Sequence, residues 1–163
     1  MLRCGLLILC YFCLLTSPLS AKELTGTVSW IYDGDTLLIE NFGKVRLLGI
    51  DTPESKDSSR DRYYLHNFGI SRKILRRIAR QSKRFNIDQV KGKQVRLKFE
   101  GEKKDKHNRT LAYLYLPDGR LLNRLLLEKG LASVFRRYQF RHKEDFLAAE
   151  DAARKAGLGL WRQ

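Results

Sequence analysis

The chain has 163 residues, enough for one domain with a real core, and its 32 Lys and Arg against 18 Asp and Glu give a formal net charge of +14. That charge attracts polyanions: nucleic acid first, an acidic membrane surface second, with a merely solvated basic face as the bland alternative. The three cysteines, Cys4, Cys10 and Cys13, sit near the start, so the remainder has no disulfide, thiolate metal site or cysteine nucleophile.

Residues 1–21 read as a secretory signal: Arg3, then the apolar run "CGLLILCYFCLLT", then Pro18, Ser20 and Ala21. The run falls short of the roughly 20 apolar residues that span a bilayer. Cleavage after Ala21 is expected, with a retained anchor as the alternative. It would remove one basic residue and no acid, leaving +13 on residues 22–163. The expected product is a secreted or periplasmic domain with no stable membrane insertion.

From Leu24 to Asp51 apolar and polar residues alternate between two turn signals, "DGDT" at 33–36 and "NFGK" at 41–44. About three short strands are expected there. "ESKDSSRDR" at 54–62 reads as a charged loop. Ile70, Ile74, Leu75 and Ile78 fall at helical spacing, with basic residues on other faces through about residue 84. Strand alternation returns at 93–101 and at 109–119, where "PDG" supplies a turn. A short leucine-rich helix follows from Leu122 to Lys129, stopped by Gly130, and a last helix runs from about Lys143 to Ala156. Five strands with intervening helices predict one α+β domain, an OB-type five-stranded barrel with about three helices.

The residues that fit this frame least well are charged ones at strand ends. Asp35 opens one strand after a tight turn, and Asp51 closes the apolar strand "VRLLGID". Two carboxylates at neighbouring strand ends can share a hard cation such as Ca²⁺, and Thr52, held extended by Pro53, can add a carbonyl. Zinc is disfavoured because no His or Cys cluster has the spacing. Asp33 is either a support for this site or a turn former, and Asp35 and Asp51 taken singly are ordinary hairpin and cap residues. Glu54 lies three residues past Asp51, beyond the proline, where it can serve as a general base on water without ligating metal. Arg46, among apolar neighbours, must pair or face a cleft; its fork suits phosphate oxygens, and the alternative is a salt bridge to Asp51 or Glu54. Arg109, at a loop-to-strand junction, can close from the other side. One metal, two arginines and one base make the parts of phosphodiester hydrolysis.

"DGDT", "VRLLGIDTPE" and "DKHNRTLAYLYLPDG", in that order, resemble the thermonuclease (staphylococcal nuclease-like) family, and the resemblance continues through "LLNRLLLEKGLA" to the terminal "LW". It implies a five-stranded OB barrel with three helices and calcium-supported hydrolysis of DNA and RNA, leaving 3′-phosphate ends. By motif it makes Asp35 and Asp51 the calcium carboxylates and Thr52 the carbonyl ligand. Arg46 and Arg109 become phosphate-binding arginines, and Glu54 the general base. Two departures bear on base preference and terminal-phosphate recognition. His107 stands where well-known relatives carry tyrosine, and "FRRYQF" keeps Tyr138 but has Arg136 at the place of a second tyrosine. The expected enzyme is a monomer that prefers single strands. The competing reading is a non-catalytic nucleic-acid-binding OB module, for which charge and barrel would suffice.

Overall fold

The computed structural model describes residues 24–101 and 104–162; the expected signal at 1–21 lies outside the described residues. The chain builds β1 (Leu24–Ile31), β2 (Thr36–Ile39), β3 (Gly43–Leu47), β4 (Ile50–Asp51), α1 (Arg60–Phe68), α2 (Arg72–Val90), β5 (Gln94–Lys98), β6 (Thr110–Tyr115), α3 (Leu122–Glu128), β7 (Ser133–Val134) and α4 (Lys143–Lys155). A single 3₁₀ turn, Gly159–Trp161, follows.

Five strands close a barrel in the order β1-β2-β3-β6-β5. All its pairings are antiparallel except β3 with β6, which run parallel. The alternation read from the sequence determines which side chains fill it. Val28, Ile31, Leu37, Ile39, Val45, Leu47, Val95, Leu97, Ala112 and Leu114 are all at most 2% exposed. Full burial of each large aliphatic chain stabilises by about 1.5–3 kcal/mol. A register shift between Val28 and Trp30 turns Ile31 inward and leaves Trp30 outside. The fold is therefore the expected α+β barrel.

Two features depart from expectation. The end of the charged loop at 54–62 is the first turn of a helix, α1, so there are four helices rather than about three. Tyr64 is fully buried, and Tyr63, Tyr64 and Phe68 contact one another at ring separations of 5.6–6.1 Å. Phe68 meets Trp161 edge-on at 5.3 Å. Gly69, at φ 67°, ends the helix in the left-handed region, its N–H bonding the Leu65 carbonyl. Tertiary burial of aromatics decides this helix, and its dense charge conceals the pattern in sequence.

The second departure is a break in the third strand. It ends at Leu47; Gly49, at φ 80°, turns the chain, and Ile50–Asp51 pair with Ser133–Val134 instead of continuing the barrel. Asn123, fully buried, fixes this turn by accepting from Leu114 N–H at 3.1 Å and donating to Leu48 O at 2.9 Å. Asp51 thus belongs to a small separate ribbon and not to the barrel strand it was expected to close.

Candidate active site

The "DGDT" turn is seated on α2. Asp33 accepts hydrogen bonds from the backbone N–H groups of Asp35 and Thr36 at 3.0 and 2.7 Å. Asn86 on α2 donates to the Gly34 carbonyl at 2.8 Å. A Cβ added at Gly34 would stand 2.7 Å from Ser82 Cβ and 2.8 Å from Thr52 Cγ2, so no other residue fits without displacing the turn. Ser82 and Asn86 are fully buried on the otherwise apolar face of α2. Two polar residues four apart on that face are the sequence signal that reading it for periodicity alone misses.

This seating buries Asp35 to 4% exposure and brings it to Thr52. Asp35 Oδ2 accepts from Thr52 N–H at 2.9 Å and from its hydroxyl at 3.1 Å, while Oδ1 accepts from the Thr36 hydroxyl at 3.0 Å. Arg46 lies between the two acids: Nη1 pairs with Asp35 Oδ1, and Nη2 is 3.1 Å from Asp51 Oδ1. Burial disfavours the charged form of Asp35, but the Arg46 guanidinium and the donated hydrogen bonds outweigh it and hold its carboxyl below the usual range. Burial, with the Asp35 charge beside it, pushes Asp33 up to about 6.

Asp51 has partners that the sequence did not announce. Arg60 on α1 reaches its Oδ2 through Nη2 at 2.6 Å and Nε at 3.1 Å. The Tyr64 hydroxyl lies 3.1 Å from both that oxygen and the Asp51 carbonyl, and 3.0 Å from the Ser133 hydroxyl. Arg60 and Tyr64 stand four apart, on one face of α1.

Glu54 is exposed, and its carboxylate has no hydrogen bond or ion pair among the described residues. Partial burial, with Asp35 and Asp51 nearby, raises its pKa. Its position is fixed through the backbone, where Arg76 donates to the Glu54 carbonyl at 2.7 Å. Arg76 also pairs with Asp57 at 3.0 Å and with buried Asp61. Arg109 is aligned by Asp105, whose Oδ2 is 2.9 Å from Nε and 2.8 Å from Nη2, and its Nη1 stands 3.4 Å from the Thr36 hydroxyl.

All six expected site residues therefore belong to one neighbourhood, with Arg60, Tyr64, Arg76, Ser82 and Asn86 as supports that were not anticipated. The salt bridge from Arg46 to Asp51, posed as an alternative to a cleft-facing arginine, is present. The departure at 136 has a plain structural role: Arg136 pairs with buried Glu150 and donates to Val134 O at 3.2 Å. Tyr138 remains 59% exposed, and His107 is exposed beside the Asp105 turn.

The donor set fits a hard cation. Asp35 and Asp51 converge on a single positive group, and Thr52 follows Asp51 directly. Among the described residues no group of three or more His, Cys, Asp or Glu is arranged to hold an ion, so a cation beside Asp35 and Asp51 would have few protein ligands. Such a sparse all-oxygen set suits calcium completed by water and substrate oxygens, and suits zinc poorly.

A profile of the staphylococcal nuclease homologue family matches residues 44–163. A relative from Methanocaldococcus jannaschii, described as an uncharacterized protein, is 37% identical over 147 residues, covering 83% of this chain and 70% of its own length. The thermonuclease of Staphylococcus intermedius is 31% identical over 141 residues, covering 83% of this chain and 75% of its own. An uncharacterized endonuclease of Haemophilus influenzae is 33% identical over 149 residues, or 89% of this chain and 70% of its own. The fold and these matches define a nuclease hydrolase. The chain belongs to the staphylococcal nuclease homologue family.

Proposed function

We propose that this chain is an exported, calcium-dependent, sugar-nonspecific nuclease that hydrolyses phosphodiester bonds in DNA and RNA and leaves 3′-phosphate ends. The observation carrying this reading is the Arg46 guanidinium held between buried Asp35 and Asp51 with Glu54 beside them. Asp35, Asp51 and the Thr52 carbonyl would hold Ca²⁺, which when bound supplies positive charge to the phosphate oxygens.

The remaining chemistry falls to this chain's own side chains. Glu54, unpaired and raised in pKa, takes a proton from the attacking water. Arg46 and Arg109 supply N–H donors to the phosphate as charge grows on its oxygens, Arg46 exchanging contacts with Asp35 and Asp51 for phosphate oxygens. Asp105 keeps Arg109 aimed without neutralising its free edge. The water oxygen bonds to phosphorus and the P–O5′ bond breaks; the 5′-oxygen takes up a proton and leaves as a hydroxyl, and the phosphate stays on the 3′-oxygen.

Export rests on the 1–21 segment, with residues 22–163 as the folded domain, acting as a monomer. No helix among the described residues is long and apolar enough to cross a membrane. The alternative, a non-catalytic binding module, is disfavoured because such a module needs neither Glu54 nor the buried aspartates.

The deciding experiment incubates the purified domain with plasmid DNA and with a defined RNA, in Ca²⁺ and in excess chelator. The expected outcome is calcium-dependent cleavage of both, with ends that accept label only after phosphatase treatment of the 3′ side. Full activity in chelator, or binding without cleavage, would reject the reading.

A further inference from the structure

The outer face of the barrel next to Arg46 carries aromatic rings and lysines that the site described above does not use. Register places them. Thr36 pairs with Arg46 on β3, and Tyr32, the residue just past β1, bonds the Thr36 carbonyl through its N–H at 3.0 Å, so Tyr32, Thr36 and Arg46 form one row. Leu38 pairs with both Trp30 and Lys44, so Trp30, Leu38 and Lys44 form the adjacent row. Trp30 is 50% exposed and Tyr32 38%. Exposed rings of this size on an outer strand face contribute nothing to the core.

Each ring has a cation beside it. Lys44 Nζ lies 4.8 Å from the centre of the Tyr32 ring. Lys91 and Lys83 approach the Trp30 ring at 5.2 and 6.0 Å. Lys83 follows Ser82, the residue on which the "DGDT" turn is seated, so the platform and the candidate site share one support. Rows two residues apart lie roughly 7 Å from each other and strands about 4.8 Å apart. Trp30 is thus on the order of 12 Å from Arg46 along the surface, about four stacked nucleotides at a rise of ~3.4 Å.

The geometry points to a second nucleic-acid subsite, in which a single strand leaving Arg46 lays its bases on Tyr32 and Trp30 and its phosphates against Lys44, Lys83 and Lys91. Stacking on aromatic faces with flanking cations is how sequence-tolerant single-strand sites are built. The inference rests on the nuclease reading for the strand's course toward Arg46. The subsite fixes the substrate class: a strand several nucleotides long gains from it and a dinucleotide does not.

The sequence has two tryptophans, so a Trp161→Phe background leaves Trp30 as the sole indole. In chelator, a single-stranded oligonucleotide of about twelve nucleotides should quench its fluorescence. In the unaltered background, Trp30→Ala should weaken binding of that oligonucleotide about tenfold, Trp30→Phe should restore most of it, and cleavage of a dinucleotide should not change. The Lys83→Ser, Lys91→Ser double variant should flatten the log–log salt dependence by about 1.4.

Unaltered oligonucleotide affinity in Trp30→Ala, with parental hydrolysis intact, overturns the subsite and leaves the nuclease reading standing. Equal losses on oligonucleotide and dinucleotide also overturn it, placing Trp30's influence at the reacting phosphate. Trp30-dependent partition onto phosphatidylserine vesicles, with oligonucleotide affinity unchanged, would make the platform a membrane contact and overturn it too. Quenching by a parent protein that hydrolyses nothing keeps the subsite and removes the nuclease reading.

Discussion

Arg60 holds Asp51 through two nitrogens, Nη2 at 2.6 Å and Nε at 3.1 Å from the same carboxylate oxygen. Arg46 takes the other oxygen at 3.1 Å. The acid proposed to bind calcium is therefore clamped between guanidinia from a barrel strand and from a helix.

That clamp predicts opposite effects on stability and metal binding. Arg60→Met leaves the buried Asp51 with one cation fewer and should destabilise the fold by about 1–2 kcal/mol. This is below the ~3–5 kcal/mol of a fully buried pair because the Arg60 side chain is 36% exposed. Removing a competitor for the carboxylate should also tighten calcium binding severalfold. Urea unfolding without metal and a calcium titration of the same variant check the two halves.

Arg46→Lys should lower turnover about 10²-fold while weakening substrate binding much less. Lysine keeps the charge but loses the fork that spans two oxygens. Steady-state kinetics on one oligonucleotide, with binding measured in chelator, separates the two. A variant with parental turnover and weaker binding would make Arg46 a steering residue.

The "DGDT" turn offers a steric test. Gly34→Ala should abolish activity and lower Tm, since the new methyl meets Ser82 and Thr52 at contact distances below 3 Å. Adding Ser82→Gly removes one obstacle and should recover part of the activity, even though glycine within α2 costs about 1 kcal/mol. Thermal melts and cleavage rates of the single and double variants report the coupling.

These sites differ in how far they could be read beforehand. The barrel strands show plainly because buried Val28, Leu37, Val45 and Leu47 alternate with outward residues, and alternation is a local signal. Asp35, Asp51 and Glu54 stand out because acids beside apolar strands need a reason. The helix carrying Arg60 and Tyr64 was hidden: its buried ring and its bond to Asp51 depend on packing against residues distant in sequence. The break at Gly49 was hidden likewise, because the partner of Ile50–Asp51 is Ser133–Val134, some eighty residues on.

Glu100 gives a pH signature away from the site. Burial opposes its charge, but the Tyr113 hydroxyl at 2.5 Å and the Arg141 N–H at 2.9 and 3.0 Å together outweigh it and lower its pKa. A carboxyl depressed in the folded state adds stability above its unfolded pKa, and that stability is lost as pH falls through the folded value. Glu100→Gln should therefore melt lower than the parent at pH 7, with the gap narrowing below about pH 4. Melts of both proteins across that range are the check.

Glu54, as the base acting on water beside a calcium-dependent phosphate site, is the residue on which the proposed hydrolysis turns. The direct measurement follows cleavage and binding of one fluorescent single-stranded oligonucleotide by the parent and by Glu54→Gln, at a series of salt concentrations, in Ca²⁺ and in chelator. Parental cleavage should require Ca²⁺. Glu54→Gln should cut at least about 10²-fold more slowly while binding with the parent's salt dependence, because Glu54 neutralises no phosphate. Cleavage by the variant at the parental rate, or a salt slope shifted by about 0.7, the value of one full contact, would contradict the assignment.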